Sequence, residues 1–469
     1  MKKILHILLL SGIAVSVVSK NPVFTFIEND LMNNANVSLI VKDMTNNANL
    51  YEYHPGNSFI PASTMKLVTT ATALQLLGGS FRFETLLQYD GTIDYEGILN
   101  GNIYIRGGGD PTLGSEKMGD GDFLQQWVKS IKKKGIRKIL GSIIADESLY
   151  GDEGANPYWT WEDIGNYYAP EIYAISYKDN TFKVEFDSKE VGSIPQIVAV
   201  SPQIKDLCII NCLKSTKISF DSAYFYGKPH DNERIARGAI PANRKRFTVK
   251  GSIPSPGLLL AKDLKQALKK NGIEVTGEGK DIFLPPQSKR TKIYSHFSPP
   301  LRNIVGEINM NSNNHYAETL FQRLSLLESS VANSKNAAKI IKNYWYSRLP
   351  SSKQLFLYDG CGLSPLNAVS ANFLVDMLVY MYNSDSRADF LNSLPVSGIS
   401  GTLKSFLKNT PLFGKVRAKS GTISRVKSYA GYIERDDKKW VFAVLVNNAN
   451  GNSREVTGKI ENFLLDITQ

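Results

Sequence analysis

Cysteine and histidine, the residues that most often hold transition metals, are scarce in this sequence. The 469 residues include three cysteines and five histidines, and no group of them has the spacing of metal ligands. We therefore expect neither a zinc site nor any other metal or cofactor. Cys208 and Cys212 could bridge only across a tight turn with favourable Cβ directions, a restrictive geometry that favours free thiols.

Long apolar runs are absent after the first residues, so we expect no transmembrane anchor in the mature chain. The first run extends from Ile4 to Val18 behind Lys2 and Lys3, and it ends among small residues. It is too short for a comfortable membrane span and is typical of a secretory signal peptide, here residues 1–19. No cysteine follows it, so we expect no lipid anchor either. The protein is predicted to be exported to the periplasm or a similar extracytoplasmic space, in association with the cell envelope.

The charge pattern excludes some classes of partner. The formal net charge is +11, from 55 lysines and arginines against 44 acidic residues, and this excess favours anionic surroundings. No basic block alternates with aromatic residues, so we expect no nucleic-acid binding. The run Gly107-Gly108-Gly109 continues as Asp110-Pro111 rather than Gly-Lys-Ser/Thr, which indicates a tight turn and not a phosphate-binding loop.

A serine and a lysine stand three residues apart where a proline leads into a helical segment. Helical spacing places Ser63 and Lys66 on one face, and Pro61 suits the first turn because its missing N–H is not needed there. Ser63 then lies at the positive end of the helix dipole, which stabilises a nucleophile as it becomes negative. An unperturbed lysine would be neutral in only about one molecule in 2,500 at pH 7, so we expect burial and the charge of Lys419 to lower the pKa of Lys66. The pair is a candidate for acyl transfer.

The apolar helix behind Ser63 distinguishes it from similar patterns. The same Ser-x-x-Lys spacing occurs at Ser130, Ser405 and Ser424, where a solvated helix face is the simpler interpretation. After Ser63, apolar residues recur at helical spacing up to Gly78-Gly79, which predicts a buried helix.

The order of helical and strand-like patterns along the chain predicts an α+β fold that is interrupted by a large insertion. Patterns outside the insertion indicate a β-hairpin at 37–44 and 50–53, helices at 301–330, 331–346 and 371–382, strands at 416–423, 428–433 and 439–446, and a final helix at about 453–467. Short strand-like runs predict a β-rich region of two subdomains over residues 86–286. Residues 20–85 and 287–469 should together form a main domain in which helices pack on an antiparallel sheet.

Two further stretches complete a candidate site around Ser63. Ser312-Asn313-Asn314 follows an apolar segment, and Lys419-Ser420-Gly421-Thr422 lies on the first closing strand. Ser-x-Asn is a weak pattern alone because it recurs in the chain, whereas Lys-Ser-Gly occurs once. In this order, S-x-x-K, S-x-N and K-T/S-G are the signature of serine enzymes that react with penicillin.

On these residues the sequence resembles the class C low-molecular-mass penicillin-binding proteins, the D-alanyl-D-alanine carboxypeptidase/endopeptidase family. The matching stretches are PASTMKL at 61–67, GGGDPTL at 107–113, SNNHYAE at 312–318, DGCGLS at 359–364, LPVSGISGTL at 394–403, VRAKSGTI at 416–423 and AGYI at 430–433. The resemblance covers nearly the whole mature chain. It implies a penicillin-binding, transpeptidase-like domain that carries the large β-rich insertion.

The site residues then take specific roles. Ser63 is the expected nucleophile, Lys66 its base, and Ser312 a relay that carries a proton to the leaving amine. The Asn314 side chain is expected to hold the substrate amide. The resemblance implies an oxyanion hole made of the backbone N–H groups of Ser63 and Thr422.

The Lys-Ser-Gly-Thr stretch should bind the substrate's end. We expect Gly421 to let the substrate backbone approach the strand, and Lys419 with Ser420 or Thr422 to bind a terminal carboxylate. Three residues depart from the family pattern: Ser420 replaces a common threonine, Cys361 a common serine and Pro365 a common arginine. The last departure leaves the preferred stem peptide open.

We therefore expect a serine-type D-alanyl-D-alanine carboxypeptidase/endopeptidase that acts on peptidoglycan stem peptides through a Ser63 acyl-enzyme, with β-lactam antibiotics as covalent inhibitors. Two alternatives remain. A β-lactamase shares the three patterns but needs no insertion of this size. A non-catalytic envelope-binding protein would keep the fold without turnover, although all the motif side chains are present here.

Overall fold

The computed structural model describes residues 21–119, 121–285 and 288–469. The predicted signal peptide at residues 1–19 lies outside them. None of the helices in the described residues combines the length and the hydrophobicity that crossing a bilayer requires.

The strands and helices have these bounds. The strands are β1 (Asn36–Asp43), β2 (Asn49–Tyr53), β3 (Ser58–Phe59), β4 (Glu84–Tyr89), β5 (Thr92–Ile93), β6 (Ile98–Asn100), β7 (Ile103–Arg106), β8 (Lys138–Ile139), β9 (Ile143–Asp146), β10 (Thr181–Asp187), β11 (Gln196–Ser201), β12 (Cys208–Asn211), β13 (Lys214–Thr216), β14 (Tyr224–Tyr226), β15 (Glu233–Arg237), β16 (Ala239–Pro241), β17 (Phe247–Ser252), β18 (Glu274–Val275), β19 (Gly279–Ile282), β20 (Thr291–Phe297), β21 (Val369–Ser370), β22 (Val416–Ile423), β23 (Val426–Arg435) and β24 (Lys438–Asn447). The helices are α1 (Pro22–Ile27), α2 (Met65–Leu77), α3 (Phe123–Lys133), α4 (Pro256–Lys270), α5 (Leu301–Asn311), α6 (Asn314–Ser325), α7 (Ser334–Tyr346), α8 (Ala371–Tyr382), α9 (Arg387–Ser393) and α10 (Ser453–Asp466).

An antiparallel sheet of order β2-β1-β24-β23-β22 joins the two ends of the chain. β1 pairs with β24 along its whole length, from Asn36 opposite Asn447 to Asp43 opposite Trp440. The predicted hairpin and the three predicted closing strands are confirmed, and with them the α+β fold.

Both faces of this sheet are buried under helices. In β24 the side chains alternate: Val441 and Ala443 belong to the core that includes α2 and α8, whereas Phe442 and Val444 belong to the core that includes α1 and α10. Successive side chains of a strand point to opposite faces. A strand that is covered on both sides therefore has an unbroken run of apolar residues in its sequence. α2 lies inside the helical layer, and its residues from Met65 to Leu74 are all buried, as predicted.

The helix predicted over residues 301–330 is broken, which corrects the sequence analysis. α5 ends at Asn311, and Ser312 takes the left-handed conformation with φ 58° and ψ 39°. Asn313 then caps α6, since its side-chain oxygen accepts a 3.2 Å hydrogen bond from the N–H of Tyr316. The break places Ser312 and Asn314 at the junction of two helices, at the edge of the helical layer.

The insertion has a hydrophobic core of its own. Buried apolar side chains from residues 87–275 pack into one cluster. β4 and β20 pair antiparallel, with Glu84 opposite Phe297, so the chain leaves and rejoins the main domain on adjacent strands. The separate core agrees with an inserted region, whereas its boundaries at residues 86 and 286 and its two subdomains stay predictions.

The insertion also contains two helices that the sequence analysis missed. α3 buries Phe123, Trp127, Val128 and Ile131, and α4 packs against β9 and β19. The four buried residues of α3 have helical spacing, which was the available signal. The region is β-rich with two helices rather than formed of strands alone.

Candidate active site

Ser63 lies in a 3₁₀ turn, Ala62–Thr64, that leads directly into α2. Ala62 has a left-handed φ of 46°, so the chain turns sharply just before the serine. Lys66 follows one helical turn later, and its Nζ donates a 2.9 Å hydrogen bond to Ser63 Oγ. The structure therefore brings the predicted pair into direct contact.

The Lys66 ammonium is fully buried among three acceptors. Besides Ser63 Oγ, its Nζ donates 2.6 Å hydrogen bonds to Asn314 Oδ1 and to the main-chain oxygen of Cys361. A neutral amine has two hydrogens and one lone pair. Because the amide and carbonyl oxygens can only accept, they would keep the two hydrogens and leave the lone pair for the Ser63 hydroxyl.

Burial lowers the pKa of Lys66 below its ordinary value of 10.5, since the charged form loses its hydration. The neighbouring acidic groups Cys361, Asp359 and Glu318 act in the opposite direction when they are ionised. The sequence analysis attributed part of this lowering of the Lys66 pKa to the charge of Lys419. The structure instead assigns the lowering to burial, whereas the pKa of Lys419 itself is held well below its usual range by burial and by the charge of Lys66.

Ser312 faces Lys419 rather than Lys66. The Nζ of Lys419, which is also fully buried, donates hydrogen bonds to Ser312 Oγ at 3.0 Å and to the main-chain oxygen of Ser420 at 2.7 Å. The site thus contains two buried lysines, each bonded to one of the two serine hydroxyls. A proton relay through Ser312 stays a prediction.

Asn314 connects the main domain to the insertion. Its Oδ1 accepts from Lys66, and its Nδ2 donates a 2.8 Å hydrogen bond to the main-chain oxygen of Tyr168. One amide hydrogen remains for a substrate carbonyl, so the predicted role of Asn314 fits the geometry but is untested. No sequence signal linked the main-chain oxygen of Tyr168 to Asn314.

Gly421 lies close to the turn that holds Ser63. A Cβ at this position would lie 2.3 Å from Ser428 Oγ, 2.6 Å from the oxygen of Pro61 and 2.9 Å from the nitrogen of Ser63. The missing side chain therefore lets β22 pack against the turn that holds Ser63, and the expected approach of the substrate backbone at Gly421 stays a prediction. This packing brings the strand close to the Ser63 nitrogen, which is predicted to contribute to an oxyanion hole.

The neighbouring hydroxyls of β22 already have partners. Ser420 Oγ donates to Thr402 Oγ1 at 2.9 Å, and Thr422 Oγ1 accepts from Lys427 Nζ at 2.9 Å. Lys427 adds a third lysine beside the site, and sequence reasoning had counted it only as the partner of Ser424. Thr402 lies in the matched stretch LPVSGISGTL, which was the signal that could have identified it.

The loop that carries the Cys361 carbonyl is held by two buried carboxylates. Glu318 Oε1 accepts the N–H groups of Gly360 and Cys361, both at 2.6 Å, and Asp359 accepts the indole N–H of Trp159 at 2.9 Å. Burial and the charge of Asp359 raise the pKa of Glu318 to about 8. Both carboxylates lie in matched stretches, but sequence reasoning assigned them no role.

Glu318, Asp359 and Cys361 also form the group within the described residues whose ligand atoms are close enough for a metal ion. Their oxygens already accept main-chain N–H groups, so this cluster has an evident use in positioning the loop. The prediction that the protein uses no metal remains untested.

A cavity of about 510 Å³ opens beside Ser312 and Asn314. Residues 311–315 form one wall, and the insertion forms the facing wall with mixed charge from Lys117, Lys178, Lys183, Lys250, Glu116 and Asp179. The site therefore lies at the junction of the main domain and the insertion, where an extended ligand can reach both.

Comparison with known proteins agrees with this arrangement. The sequence pattern of the D-Ala-D-Ala carboxypeptidase 3 (S13) family matches residues 22–466. D-alanyl-D-alanine carboxypeptidase DacB of Haemophilus influenzae is 26% identical over 409 residues, which cover 85% of this chain and 82% of that protein. The D-alanyl-D-alanine carboxypeptidase of Actinomadura sp. strain R39 is 27% identical over 442 residues, covering 91% and 80%.

The fold has close counterparts among solved structures. Penicillin-binding protein 4 (dacB) from Haemophilus influenzae superimposes with a TM-score of 0.83 at 24% identity, over 95% of this chain and 99% of that one. A predatory peptidoglycan endopeptidase from Bdellovibrio bacteriovorus matches with a TM-score of 0.52 at 16% identity, over 92% of each chain. The predicted penicillin-binding fold with its β-rich insertion is confirmed. Because the family pattern spans nearly the whole described sequence, the chain belongs to the D-Ala-D-Ala carboxypeptidase 3 (S13) family.

Proposed function

We propose that this member of the family is a serine-type D-alanyl-D-alanine carboxypeptidase that acts on peptidoglycan stem peptides through an acyl-enzyme at Ser63. One observation carries the proposal: Lys66 is buried against Ser63 Oγ at 2.9 Å, and two oxygen acceptors occupy its other directions. This arrangement suits a lysine that acts as a base in its neutral form.

In the proposed first step, Ser63 Oγ attacks the carbonyl carbon of the penultimate D-alanine. Lys66 accepts the hydroxyl proton as the new C–O bond forms. The backbone N–H groups of Ser63 and Thr422 stabilise the oxyanion, and donors of this kind contribute about 2.7–4 kcal/mol each in other acyl-transfer enzymes. The packing of Gly421 against the Ser63 nitrogen supports this position for the hole.

In the second step, the C–N bond breaks and the terminal D-alanine leaves as an amine. We assign delivery of its proton to Ser312, which relays the proton that Lys66 took from Ser63, while Lys419 positions the Ser312 hydroxyl through their 3.0 Å hydrogen bond. Lys419, with the hydroxyls of Ser420 and Thr422, is the proposed site of the terminal carboxylate, because a cation and hydroxyl donors suit that group. Lys66 is then neutral again, so it accepts a proton from the water that attacks the acyl-enzyme and passes it to Ser63 Oγ as the acyl C–O bond breaks.

A β-lactam would acylate Ser63 by the same attack, with its ring amide in place of the peptide bond. A penicillin-binding protein 4 from Haemophilus influenzae has been solved in complex with a β-lactam. The proposed partners of this chain are accordingly peptidoglycan peptides as substrates and β-lactams as covalent inhibitors. The proposed location is the periplasm or another extracytoplasmic space, which the signal-like first 19 residues support.

Release of D-alanine from a stem peptide tests the proposal and separates it from its alternatives. We expect wild-type protein to release D-alanine and Ser63→Ala to lose this activity, while Ser405→Ala, in an exposed copy of the same spacing, keeps it. Binding of the peptide without release would favour the non-catalytic alternative. Rapid turnover of nitrocefin would favour the β-lactamase.

Cross-linked muropeptides extend this test to the second activity of the family. Cleavage between stem peptides would assign endopeptidase action, whereas release of terminal D-alanine alone would assign carboxypeptidase action. Separation of the products from muropeptides with different diamino acids would also identify the preferred stem peptide.

A further inference from the structure

β12 is an exposed edge strand on the insertion, far along the chain from the active-site motifs. It ends a sheet of order β12-β15-β14, and within the described residues β15 is its one strand partner. Its side chains alternate, so that Cys208, Ile210 and the following Cys212 are exposed, with 40% of Ile210 accessible. An open strand edge with apolar side chains is a template for pairing with another strand.

The main-chain N–H and C=O groups of β12 also alternate in direction, pointing toward β15 at one residue and away from it at the next. The N–H groups of Cys208 and Cys212 donate to carbonyls on the β15 side, at 3.0 and 2.8 Å. Because the direction of the main-chain groups reverses at each residue, Ile209 and Asn211 turn theirs toward the open side. The free edge therefore presents the groups of these two residues.

The two cysteines cannot bridge within one chain. Both are exposed free thiols. Extended chain rises about 3.3 Å per residue, so a separation of four residues places them roughly 13 Å apart. A disulfide needs Cα atoms within about 7 Å.

We propose that β12 pairs antiparallel with β12 of a second copy of this chain, centred on Ile210, and that disulfides join Cys208 of each copy to Cys212 of the other. A two-fold axis through Ile210 sets residue 208 opposite residue 212, because the two numbers lie equally far from 210. The same axis sets residue 209 opposite residue 211, and their free main-chain groups can exchange hydrogen bonds.

This register also gives the cysteines the right spacing. Residues 208, 210 and 212 turn their main-chain groups away from the new interface, so they form the non-hydrogen-bonded pairs of the ladder. Such pairs have Cα atoms about 4.5 Å apart, within the range of disulfides.

The disulfides matter because the contact is small. A stable interface buries about 1,200–2,000 Å², much more than one short strand pair can bury, so the pairing alone would be weak. In each disulfide, two thiols lose two protons and two electrons to a disulfide oxidant such as oxidised glutathione, which is reduced to two thiols. The proposed export places the chain where such bonds persist.

Oxidation of the full purified chain with glutathione buffer, followed by a non-reducing gel, tests the proposal. We expect a covalent dimer, and peptide mapping by mass spectrometry should find Cys208 linked to Cys212. Cys361 is buried and should not take part. Penicillin labelling of every variant checks that it remains folded.

Single variants give the sharpest contrast. Cys208→Ser should lose the covalent dimer, because the two remaining Cys212 thiols would lie about 13 Å apart along the strands, and Cys212→Ser should lose it for the same reason. A mixture of the two variants should regain it through one Cys208–Cys212 bond. Dimers from either variant alone, links between like cysteines, or a wild-type chain that stays monomeric would each overturn the proposal.

Discussion

The Nζ of Lys66 lies 2.6 Å from the main-chain oxygen of Cys361. Lys66, the proposed base, is thus oriented by a main-chain oxygen of the DGCGLS loop and not by a side chain of that loop. The Cys361 thiol points instead toward Asp359, with 3.8 Å between Sγ and Oδ2. The departure from serine at position 361 therefore leaves the contact with Lys66 intact.

Replacing Lys66 tests whether its neutral form is needed. Lys66→Arg keeps the positive charge but removes a group that can lose its proton, because arginine stays charged in proteins. We expect acylation by a fluorescent penicillin to slow by about 10²–10⁴-fold, the usual contribution of a general base. Lys408→Arg, the matched change in the Ser405 copy, should leave the rate unaltered. In the wild type, the rate should rise with pH, with a midpoint below 10.5, because burial lowers the pKa of Lys66.

Replacement by alanine should have opposite effects on stability at Gly421 and at Gly306. Gly421→Ala forces a Cβ within 3 Å of three atoms, including the Ser63 nitrogen, so it should slow acylation and reduce the free energy of unfolding by about 1–3 kcal/mol. Gly306, inside α5, has no neighbouring atom within 4 Å of an added Cβ. Gly306→Ala should therefore stabilise the protein by about 0.5–1 kcal/mol and leave acylation unchanged. Urea unfolding and penicillin labelling measure both quantities, and equal effects of the two changes would refute the packing of β22 on the Ser63 turn.

Ser312 is held in a strained left-handed conformation, so its two smallest replacements should differ in stability. Ser312→Ala and Ser312→Gly both remove the hydroxyl that Lys419 contacts, and both should slow turnover. Glycine adopts a φ of 58° without a Cβ clash, whereas alanine keeps the strain. We expect the glycine variant to be more stable by about 1 kcal/mol in urea unfolding. An alanine variant as stable as the glycine variant would contradict this explanation of the helix break.

Glu318 should make the stability of the protein depend on pH. Its pKa is raised from 4.5 to about 8 in the folded state, so between these values the folded protein binds the proton more tightly than the unfolded chain. The stabilisation from the protonated form is complete below pH 4.5 and is lost as pH rises through about 8. Glu318→Gln keeps the oxygen acceptor but cannot ionise. Between pH 5 and pH 8 its unfolding free energy should therefore fall less than that of the wild type, the difference being about a few kcal/mol at most. Identical pH profiles for the two proteins would exclude this role.

The parts of the site that were predicted from sequence are those set by local spacing or by a short motif. Ser63 and Lys66 are one helical turn apart, so helix geometry alone predicts their contact. Lys419 could be placed on a closing strand because the strand pattern is continuous. The break at Ser312 was missed although the polar run Asn311-Ser312-Asn313-Asn314 interrupts the apolar pattern and contains residue types that favour helix caps.

Other contacts depend on segments that are distant in sequence, and no local pattern encodes them. The hydrogen bond from Asn314 to the Tyr168 main-chain oxygen joins the main domain to the insertion. Because every residue has a main-chain oxygen, the residue type at position 168 does not indicate this contact. The same holds for the Cys361 oxygen beside Lys66. Gly421 was recognised as a site of close approach, but its partner, the Ser63 turn, became evident only when the sheet and α2 were packed together.

The covalent adduct with penicillin tests the central proposal most directly. Intact-mass measurement after incubation should show one added penicillin per chain, and peptide mapping should locate it on Ser63. The adduct should be absent from Ser63→Ala and present in Ser405→Ala. Equal labelling of Ser63→Ala, or an adduct on another residue, would contradict the assignment of Ser63 as the nucleophile.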